Sequence, residues 1–350
     1  MSWRNALYTL AVSAAALWTG SASAAPKIAV EETMVPAATA GVEIYVRNKR
    51  PEGVASFGPD RTLLFVHGAT YPASTAFDLP FGGKSWMDDL AERGFDVYLM
   101  DLPGYGRSTR PAAMDQPAEA NEPLTTTADA VAAVANVVDS ILKKRGLQKL
   151  DVMGWSWGTA TMATYAQEHP DKVNRLVLYA TLWHLKEPPA IGSASGKVGA
   201  YRQVSRDAAK TRWLNGVPEE KKASLIPAGW FEQWADATFA SDPVGAARNP
   251  PVLRAPNGVL FDLGRYWGKG ESTWDPAKIT VPTLMVLGEW DRDTPAYMSQ
   301  AVFPLLVNAP WKRFVTIGEG THTIVMEKNR QQLFNVVAEF LTEQVPAIGQ

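Results

Sequence analysis

The sequence contains no cysteine, and this absence excludes several kinds of chemistry. Without cysteine the chain can form no disulfide, no thiol nucleophile, no zinc–thiolate site and no lipoprotein anchor. A basic patch is also lacking: the net charge is −2 and the pI is near 6.1, so neither nucleic acid nor an anionic membrane surface is expected as a partner. Internal repeats and long low-complexity tracts are absent as well, which disfavours a structural or adhesive role.

A long hydrophobic run is missing too, since the apolar stretch at residues 6–18 is too short to span a bilayer. Arg4 precedes this stretch and the small residues 22–24 follow it, an arrangement typical of a cleavable secretory signal peptide. We therefore expect residues 1–24 to be removed, the mature chain to be periplasmic or secreted, and no stable membrane insertion of that chain. Ser13 interrupts the apolar stretch and disfavours the alternative, an uncleaved anchor.

The composition is that of a globular protein: 350 residues, of which 46% are hydrophobic and 20% charged. Short apolar runs alternate with helical patterns, and strands this apolar are buried on both faces. The pattern predicts an α/β fold with a mostly parallel central sheet flanked by helices, built from residues 25–183 and 276–350. The predicted strands cover residues 42–46, 62–67, 95–100, 149–153, 175–180, 283–287 and 313–317, and the helices cover residues 85–93, 127–145, 159–169 and 328–344.

Residues 184–275 interrupt this alternation, because they contain no convincing β-run. Helical patterns at residues 201–214 and 230–239 predict a helical cap, inserted after the sixth strand over the carboxyl ends of the sheet. Core packing is the expected role of most cap tryptophans, whereas Trp230 and Trp234 are predicted to face an apolar pocket and to bind substrate.

The motif GWSWG at residues 154–158 carries the strongest functional signal. A predicted strand precedes it and a predicted helix follows it. A G-x-S-x-G turn between strand and helix presents its serine at the edge of the sheet, next to a helix N-terminus. This context predicts that Ser156 is a nucleophile.

A serine nucleophile needs a base, and the chain has four histidines. His322 lies in a loop between the last strand and the terminal helix, at the same edge of the sheet as Ser156, and is the predicted base. His67 ends a strand and is expected to have an architectural role beside the oxyanion loop. His169 is expected to cap a helix, and His184, at the start of the cap, is expected to be structural.

The acid that orients this base is expected just past another strand, where Glu289, Asp291 and Asp293 occur. Asp291 stands three residues after Gly288 and is the predicted acid, with Asp293 as the second candidate. Glu289 is expected to face solvent or to pair with Arg292.

Together these motifs resemble those of the α/β-hydrolase superfamily from about residue 40 to residue 344. The match includes HG at residues 67–68, DLPGYGRS at 101–108, GWSWG, GEWD at 288–291 and GTH at 320–322, with Ser, Asp and His in the family's order. The resemblance implies that the backbone N–H groups of Trp157 and Ala69 form the oxyanion hole, with Thr70 as the fallback for Ala69. Trp157, which is also predicted to contact substrate, is similar to a halide-binding residue of haloalkane dehalogenases. Those enzymes use an Asp nucleophile, whereas position 156 is Ser.

The resulting prediction is a serine hydrolase that cleaves an ester, a lactone or a related acyl bond of a small molecule, without a metal or cofactor. A proline-iminopeptidase-like peptidase, which needs cap carboxylates to hold a free amine, and a carbon–carbon bond hydrolase stay open. A ligand-binding member of the fold without turnover is disfavoured by the intact triad. The sequence does not determine the substrate or the oligomeric state. The candidate amine-binding carboxylates are Glu187, Glu219, Glu220, Glu232 and Asp236.

Overall fold

A computed structural model describes residues 26–192 and 197–344. The predicted signal peptide, residues 1–24, lies outside the described residues. An eight-stranded sheet in the order β1-β2-β4-β3-β5-β6-β9-β10 forms the centre of the fold. Its strands are β1 Ile28–Pro36, β2 Glu43–Pro51, β3 Thr62–Val66, β4 Asp96–Met100, β5 Leu150–Trp155, β6 Val173–Tyr179, β9 Thr283–Gly288 and β10 Lys312–Ile317.

The strand directions place the functional loops at one edge of this sheet. Strands β1, β2 and β4 pair antiparallel, whereas β4, β3, β5, β6, β9 and β10 run parallel. The carboxyl ends of the parallel strands therefore meet at the same edge. Every residue of β3, β4, β5 and β9 is buried, as the short apolar runs predicted. The predicted fold class, a mostly parallel sheet flanked by helices, is confirmed.

The sheet is covered by helices whose ends follow local sequence signals. In α3 the side chain of Thr126 accepts the N–H of Asp129 and the Asp129 side chain accepts the N–H of Thr126, while Gly146, with φ 65°, ends the helix. The helices outside residues 184–275 are α1 Ala73–Phe77, α2 Trp86–Glu92, α3 Thr127–Arg145, α4 Trp157–Glu168, α10 Ala296–Val302 and α11 Arg330–Thr342.

Strand β1 was not predicted, because it has no continuous apolar run. It is an edge strand, and only Val35 in it is buried. It forms through its antiparallel pairing with β2, from Ile28 opposite Pro51 to Pro36 opposite Glu43. Pairing of this kind depends on the neighbouring strand and leaves little trace in local hydrophobicity.

Residues 184–275, called the cap segment below, contain strands as well as helices. The helix predicted over residues 201–214 is wrong at its start: Tyr201–Val204 is strand β7, which pairs with β8, Leu253–Pro256. The side chain of Ser205 then accepts the N–H of Ala208 and starts helix α5. The helices are α5 Arg206–Trp213, α6 Glu219–Leu225, α7 Trp230–Ala240, α8 Pro243–Ala246 and α9 Gly258–Arg265. That these residues form a separate cap with the stated boundaries stays a prediction.

Across residues 26–192 and 197–344, no helix combines the length and the apolar character needed to cross a membrane.

Candidate active site

Ser156 lies at the turn between β5 and α4, in a backbone conformation that few residues with a side chain adopt. Its φ is 59° and its ψ is −124°. The flanking glycines permit this turn: a Cβ on Gly154 would lie 2.0 Å from the carbonyl oxygen of Gly158, and one on Gly158 would lie 2.5 Å from that of His67. The N–H of Ser156 donates to the carbonyl of Tyr179 at 2.9 Å. The turn therefore anchors the backbone of Ser156 and places its side chain at the carboxyl edge of the sheet.

His322 and Asp291 form a hydrogen-bonded pair in the loops that follow β10 and β9. The distance between His322 Nδ1 and Asp291 Oδ2 is 2.9 Å. Asp291 is itself held, since its carboxylate accepts the N–H groups of Asp293 and Thr294 and the hydroxyl of Thr294. His322 and Ser156 line the same cavity, without a hydrogen bond between Ser156 Oγ and His322 Nε2. The structure thus brings the three predicted catalytic side chains together.

The carboxylates near His322 change the pKa of its imidazole. Burial alone lowers the pKa of the imidazole, but the carboxylates of Asp291 and Asp293 outweigh burial and raise the pKa above its ordinary value. Asp293, the second candidate for the acid, lies on the other side of the ring, with Oδ2 3.8 Å from Nε2. Glu289 is exposed and accepts the N–H of Glu319, so it takes no part in the site.

The loop that carries His322 is anchored by Glu327, a residue that the sequence analysis missed. The buried carboxyl of Glu327 accepts the hydroxyl and the N–H of Thr321, and it also accepts the indole N–H of Trp213 at 2.8 Å. Burial raises the pKa of Glu327 to about 7. No local motif marks this residue, because its partners come from the cap segment and from the loop before it.

The predicted oxyanion donors lie beside Ser156. Trp157 is the first residue of α4 and Ala69 follows β3 and Gly68, and neither backbone N–H has a hydrogen-bond acceptor among the described residues. The carbonyl of Ala69 accepts the hydroxyl of Tyr105 at 2.9 Å and Nη2 of Arg202 at 2.7 Å. These two hydrogen bonds hold the loop after β3 in place.

The other histidines have structural surroundings. Buried His67 has Nδ1 2.8 Å from the carbonyl of Gly68 and accepts the N–H of Leu102 on Nε2, and burial lowers its pKa to about 4. His169 ends α4, and His184 stacks on Trp183 with ring centroids 4.4 Å apart. None of the three lines a cavity that contacts Ser156.

Two cavities contact Ser156. Both are also lined by Ala69, Arg212 and Asp293. One, called the polar cavity, is completed by Gly68, Thr70, Tyr71, Trp155, Ala209, Trp213, His322 and Thr323. The other, called the apolar cavity, is completed by Trp157, Leu182, Leu185, Pro189, Ala190, Ile191, Val259, Leu263 and Thr294.

The structure corrects the predicted roles of two cap tryptophans, since Trp230 and Trp234 line neither cavity. Trp234 is completely buried, with its ring edge-on to Tyr71 and to Trp213 at centroid distances of 4.7 and 5.2 Å. Trp230 stacks on Phe81 at 5.0 Å. Helix α7 directs both rings into aromatic clusters, and Trp213 is the cap tryptophan that reaches the polar cavity. Trp157 lines the apolar cavity, while its indole N–H donates to Thr127 at 2.9 Å.

In the part of the chain that the structure describes, no three His, Asp or Glu side chains are grouped so that they could hold a metal ion.

Comparison with known proteins shows which family and which relatives the chain is similar to. The sequence profile described as alpha/beta hydrolase fold matches residues 61–328. Protein ABHD8 of Bos taurus is 23% identical over 287 residues, covering 80% of this chain and 59% of the bovine protein. The chain thus spans a little over half the length of such relatives. A pimeloyl-acyl-carrier-protein methyl ester esterase of Chromobacterium violaceum is 27% identical over 250 residues, covering 68% of this chain and 78% of the esterase.

Among solved structures, a 2-hydroxy-6-oxo-6-phenylhexa-2,4-dienoate hydrolase from Rhodococcus superimposes with a TM-score of 0.61. The alignment covers 91% of this chain and 100% of that enzyme, at 17% sequence identity. A similarity at this identity establishes the shared fold only.

Proposed function

Because the chain belongs to the α/β-hydrolase family, we propose that it is a serine hydrolase that cleaves an ester, lactone or related acyl bond through an acyl-enzyme. One observation carries this proposal. His322, paired with Asp291 at 2.9 Å, lines the same cavity as the strained serine of the G-x-S-x-G turn. Nucleophile, base and orienting acid are the three parts that serine catalysis requires.

The mechanism follows from these positions. Ser156 Oγ attacks the acyl carbon as its proton moves to His322 Nε2, while Asp291 holds the Nδ1–H and stabilises the imidazolium. Collapse of the tetrahedral intermediate breaks the bond to the leaving oxygen, which takes the proton from Nε2. A water molecule then gives a proton to Nε2 and attacks the acyl-enzyme, and the second collapse returns that proton to Ser156 and releases the acid.

The negative charge that develops on the carbonyl oxygen would be held by the N–H groups of Ala69 and Trp157. Each such donor contributes about 3 kcal/mol to lowering the barrier in enzymes of this kind. Trp157 begins α4, a helix of 12 residues, so its N–H also lies at the positive end of a helix dipole.

Two features of the cavities limit which substrates fit beside Ser156. The apolar cavity is suited to an aliphatic or alicyclic group of the substrate. None of Glu187, Glu219, Glu220, Glu232 and Asp236 lines either cavity. A free amine would therefore meet none of these cap carboxylates beside Ser156, which disfavours an aminopeptidase.

The proposal is tested with p-nitrophenyl esters of graded chain length, assayed beside lactones and aminoacyl anilides. We expect turnover of esters or lactones and covalent labelling of Ser156 by an organophosphonate. Turnover of anilides alone would favour the peptidase. Neither turnover nor labelling, in protein shown to be folded, would contradict the serine mechanism.

Filling the apolar cavity should change chain-length preference. In Leu263→Trp the larger ring would occupy space beside Ser156, so kcat/KM for a long-chain ester should fall about tenfold or more relative to that for acetate, the size of effect that hydrophobic pockets give. The ratio of the two kcat/KM values is the measurement. Trp234→Phe is the matched control, because Trp234 packs in the aromatic core away from this cavity. An equal loss on both esters in Leu263→Trp would mean that the acyl chain binds elsewhere.

The rate should depend on pH through His322. Only the neutral imidazole accepts the proton of Ser156, and the two flanking carboxylates raise its pKa above the ordinary value of about 6.5. Activity should therefore fall as pH decreases through a value above that figure, measured as kcat/KM against pH. A rate that stays flat down to about pH 4 would show that another group is the base.

We also propose that the protein is exported. The support is sequence alone: the charged, apolar and small-residue regions within residues 1–24. Mass spectrometry of the mature protein should find an N-terminus at Ala25, and an intact N-terminus would contradict export by cleavage.

A further inference from the structure

Two carboxylates, not one, flank the imidazole of His322. Asp291 lies 2.9 Å from Nδ1, and Asp293 Oδ2 lies 3.8 Å from Nε2. If His322 is the base of the proposed function, on which this inference rests, Nε2 is the atom that must accept a proton. A carboxylate beside Nε2 favours the imidazolium, which cannot accept one. For Nε2 to stay unprotonated, another group must therefore balance the negative charge of Asp293.

Arg212 of helix α5 provides that balance from the cap segment. Its Nε and Nη2 both lie 2.7 Å from Asp293 Oδ2, and its Nη1 donates to Thr70 Oγ1 at 3.1 Å. The side chains of Arg212 and Asp293 are only 17% and 9% exposed, so water screens the pair weakly. Among the described residues, Arg212 is the only lysine or arginine within ion-pair distance of Asp293.

Asp293 is an unusual ion-pair partner because one of its two carboxylate oxygens has no hydrogen-bond partner among the described residues. Its Oδ1 is buried and has no hydrogen-bond partner in the described part of the chain. Both nitrogens of Arg212 contact the other oxygen. A buried carboxylate with an unpaired oxygen would gain from a second cation, and the nearest group that can become one is His322.

We propose that Arg212 is a positioning residue: by pairing with Asp293 it keeps that carboxylate from pairing with His322, so that the imidazole stays a neutral base facing Ser156. The cap segment then contributes to catalysis itself, beyond covering the site. Arg212 acts through Asp293 and needs no contact with the reacting atoms.

The other charged or titratable groups around His322 do not replace Arg212. The hydroxyl of Tyr179 donates to the backbone carbonyl of His322, and Glu327 is occupied by Thr321 and Trp213. These groups are unchanged in the variants proposed below, so a shift in the pKa of His322 would come from the pair. The charged groups that act on the imidazole are Asp291 and Asp293 after β9 and Arg212 on α5. Of the other titratable groups nearby, Tyr71 after β3 lines the same cavity, Tyr179 on β6 bonds to the backbone carbonyl of His322, and Glu327 after β10 binds Thr321.

The test is to titrate His322 in variants of both partners. Arg212→Met should raise the pKa of His322, Asp293→Asn should lower it, and the double variant should lie between the two. A charge at this distance shifts a pKa by about one unit or more. The pKa is measured from the imidazole proton resonance in NMR, assigned by its loss in His322→Asn, and from the acid limb of kcat/KM against pH.

The two single variants are expected to shift the pKa of His322 in opposite directions, and this distinguishes the proposed role from one in which the ion pair only holds α5 in place. If the ion pair only fastened α5, both single variants would lose activity at every pH and would leave the pKa of His322 unmoved or moved in the same direction; either result overturns the proposal. Arg206→Met is the matched control, because Arg206 lies on the same helix and pairs with exposed Asp236, and it should leave the pKa as in the wild type. Should Arg212→Met not fold, Arg212→Gln replaces it, because Gln is neutral but can still donate a hydrogen bond to Asp293, and the pKa of His322 should rise in this variant as well.

The NMR titration needs no substrate. A failure of the proposed acyl hydrolysis would appear as absent turnover with the shifts intact. A failure of the Arg212 inference would appear as absent shifts in an active hydrolase.

Discussion

Replacing Ser156 with alanine is expected to abolish acyl hydrolysis, with kcat falling by about 10⁴-fold or more. No acyl-enzyme can form on Ser156 without Oγ. The fold should survive, because the change removes one oxygen from a side chain whose backbone is held by the N–H contact to Tyr179. The measurement is kcat on the best ester of the series, together with circular dichroism and the melting temperature.

Ser299→Ala is the control for removing a buried hydroxyl. Ser299 lies on α10, is fully buried, and lines neither cavity at Ser156. Its variant should keep wild-type turnover. If Ser156→Ala retained more than a trace of turnover in a pure, folded preparation, the serine mechanism would be wrong.

Replacing Asp291 with asparagine should lower kcat by about 10⁴-fold, as loss of the orienting acid does in serine proteases. The amide of Asn would remove the charge that stabilises the imidazolium and would favour the wrong tautomer at Nδ1, which now lies 2.9 Å from Oδ2. The loss should appear in kcat and kcat/KM alike, since the interaction matters most in the transition state.

Asp293→Asn is the matched control, two residues away and chemically identical. It should reduce kcat far less, because Asp293 contacts His322 only at 3.8 Å and is paired with Arg212. The reverse ranking of the two variants would assign the orienting role to Asp293.

Most strands of the sheet and the turn at Ser156 could be predicted because their signals in the sequence are local. Apolar runs long enough to be buried on both faces located β3, β4, β5 and β9, and a helical pattern over residues 127–145 located α3. The glycines of GWSWG indicate a close approach between backbone segments, and this signal can be recognised without knowing the rest of the fold.

Other features escaped prediction because their partners are distant in the chain. Edge strand β1 and cap strand β7 form by pairing with β2 and β8, and their own residues carry no clear strand pattern. Arg212 and Asp293 are 81 residues apart, and no local motif joins them. Trp230 and Trp234 are apolar residues on a cap helix, which is equally compatible with a pocket wall and with core.

By itself, the sequence determined the α/β-hydrolase fold and the family, and it nominated Ser156, Asp291 and His322, because the order and local spacing of the motifs carry that information. Only the tertiary structure decided which side chains share a cavity with Ser156. It directed Trp234 into an aromatic cluster, Trp213 towards the polar cavity and Arg212 onto Asp293. The physical reason is that the direction of a side chain on the cap segment depends on how its helices and strands pack on the loops after β3, β9 and β10, and that packing joins residues far apart in the chain.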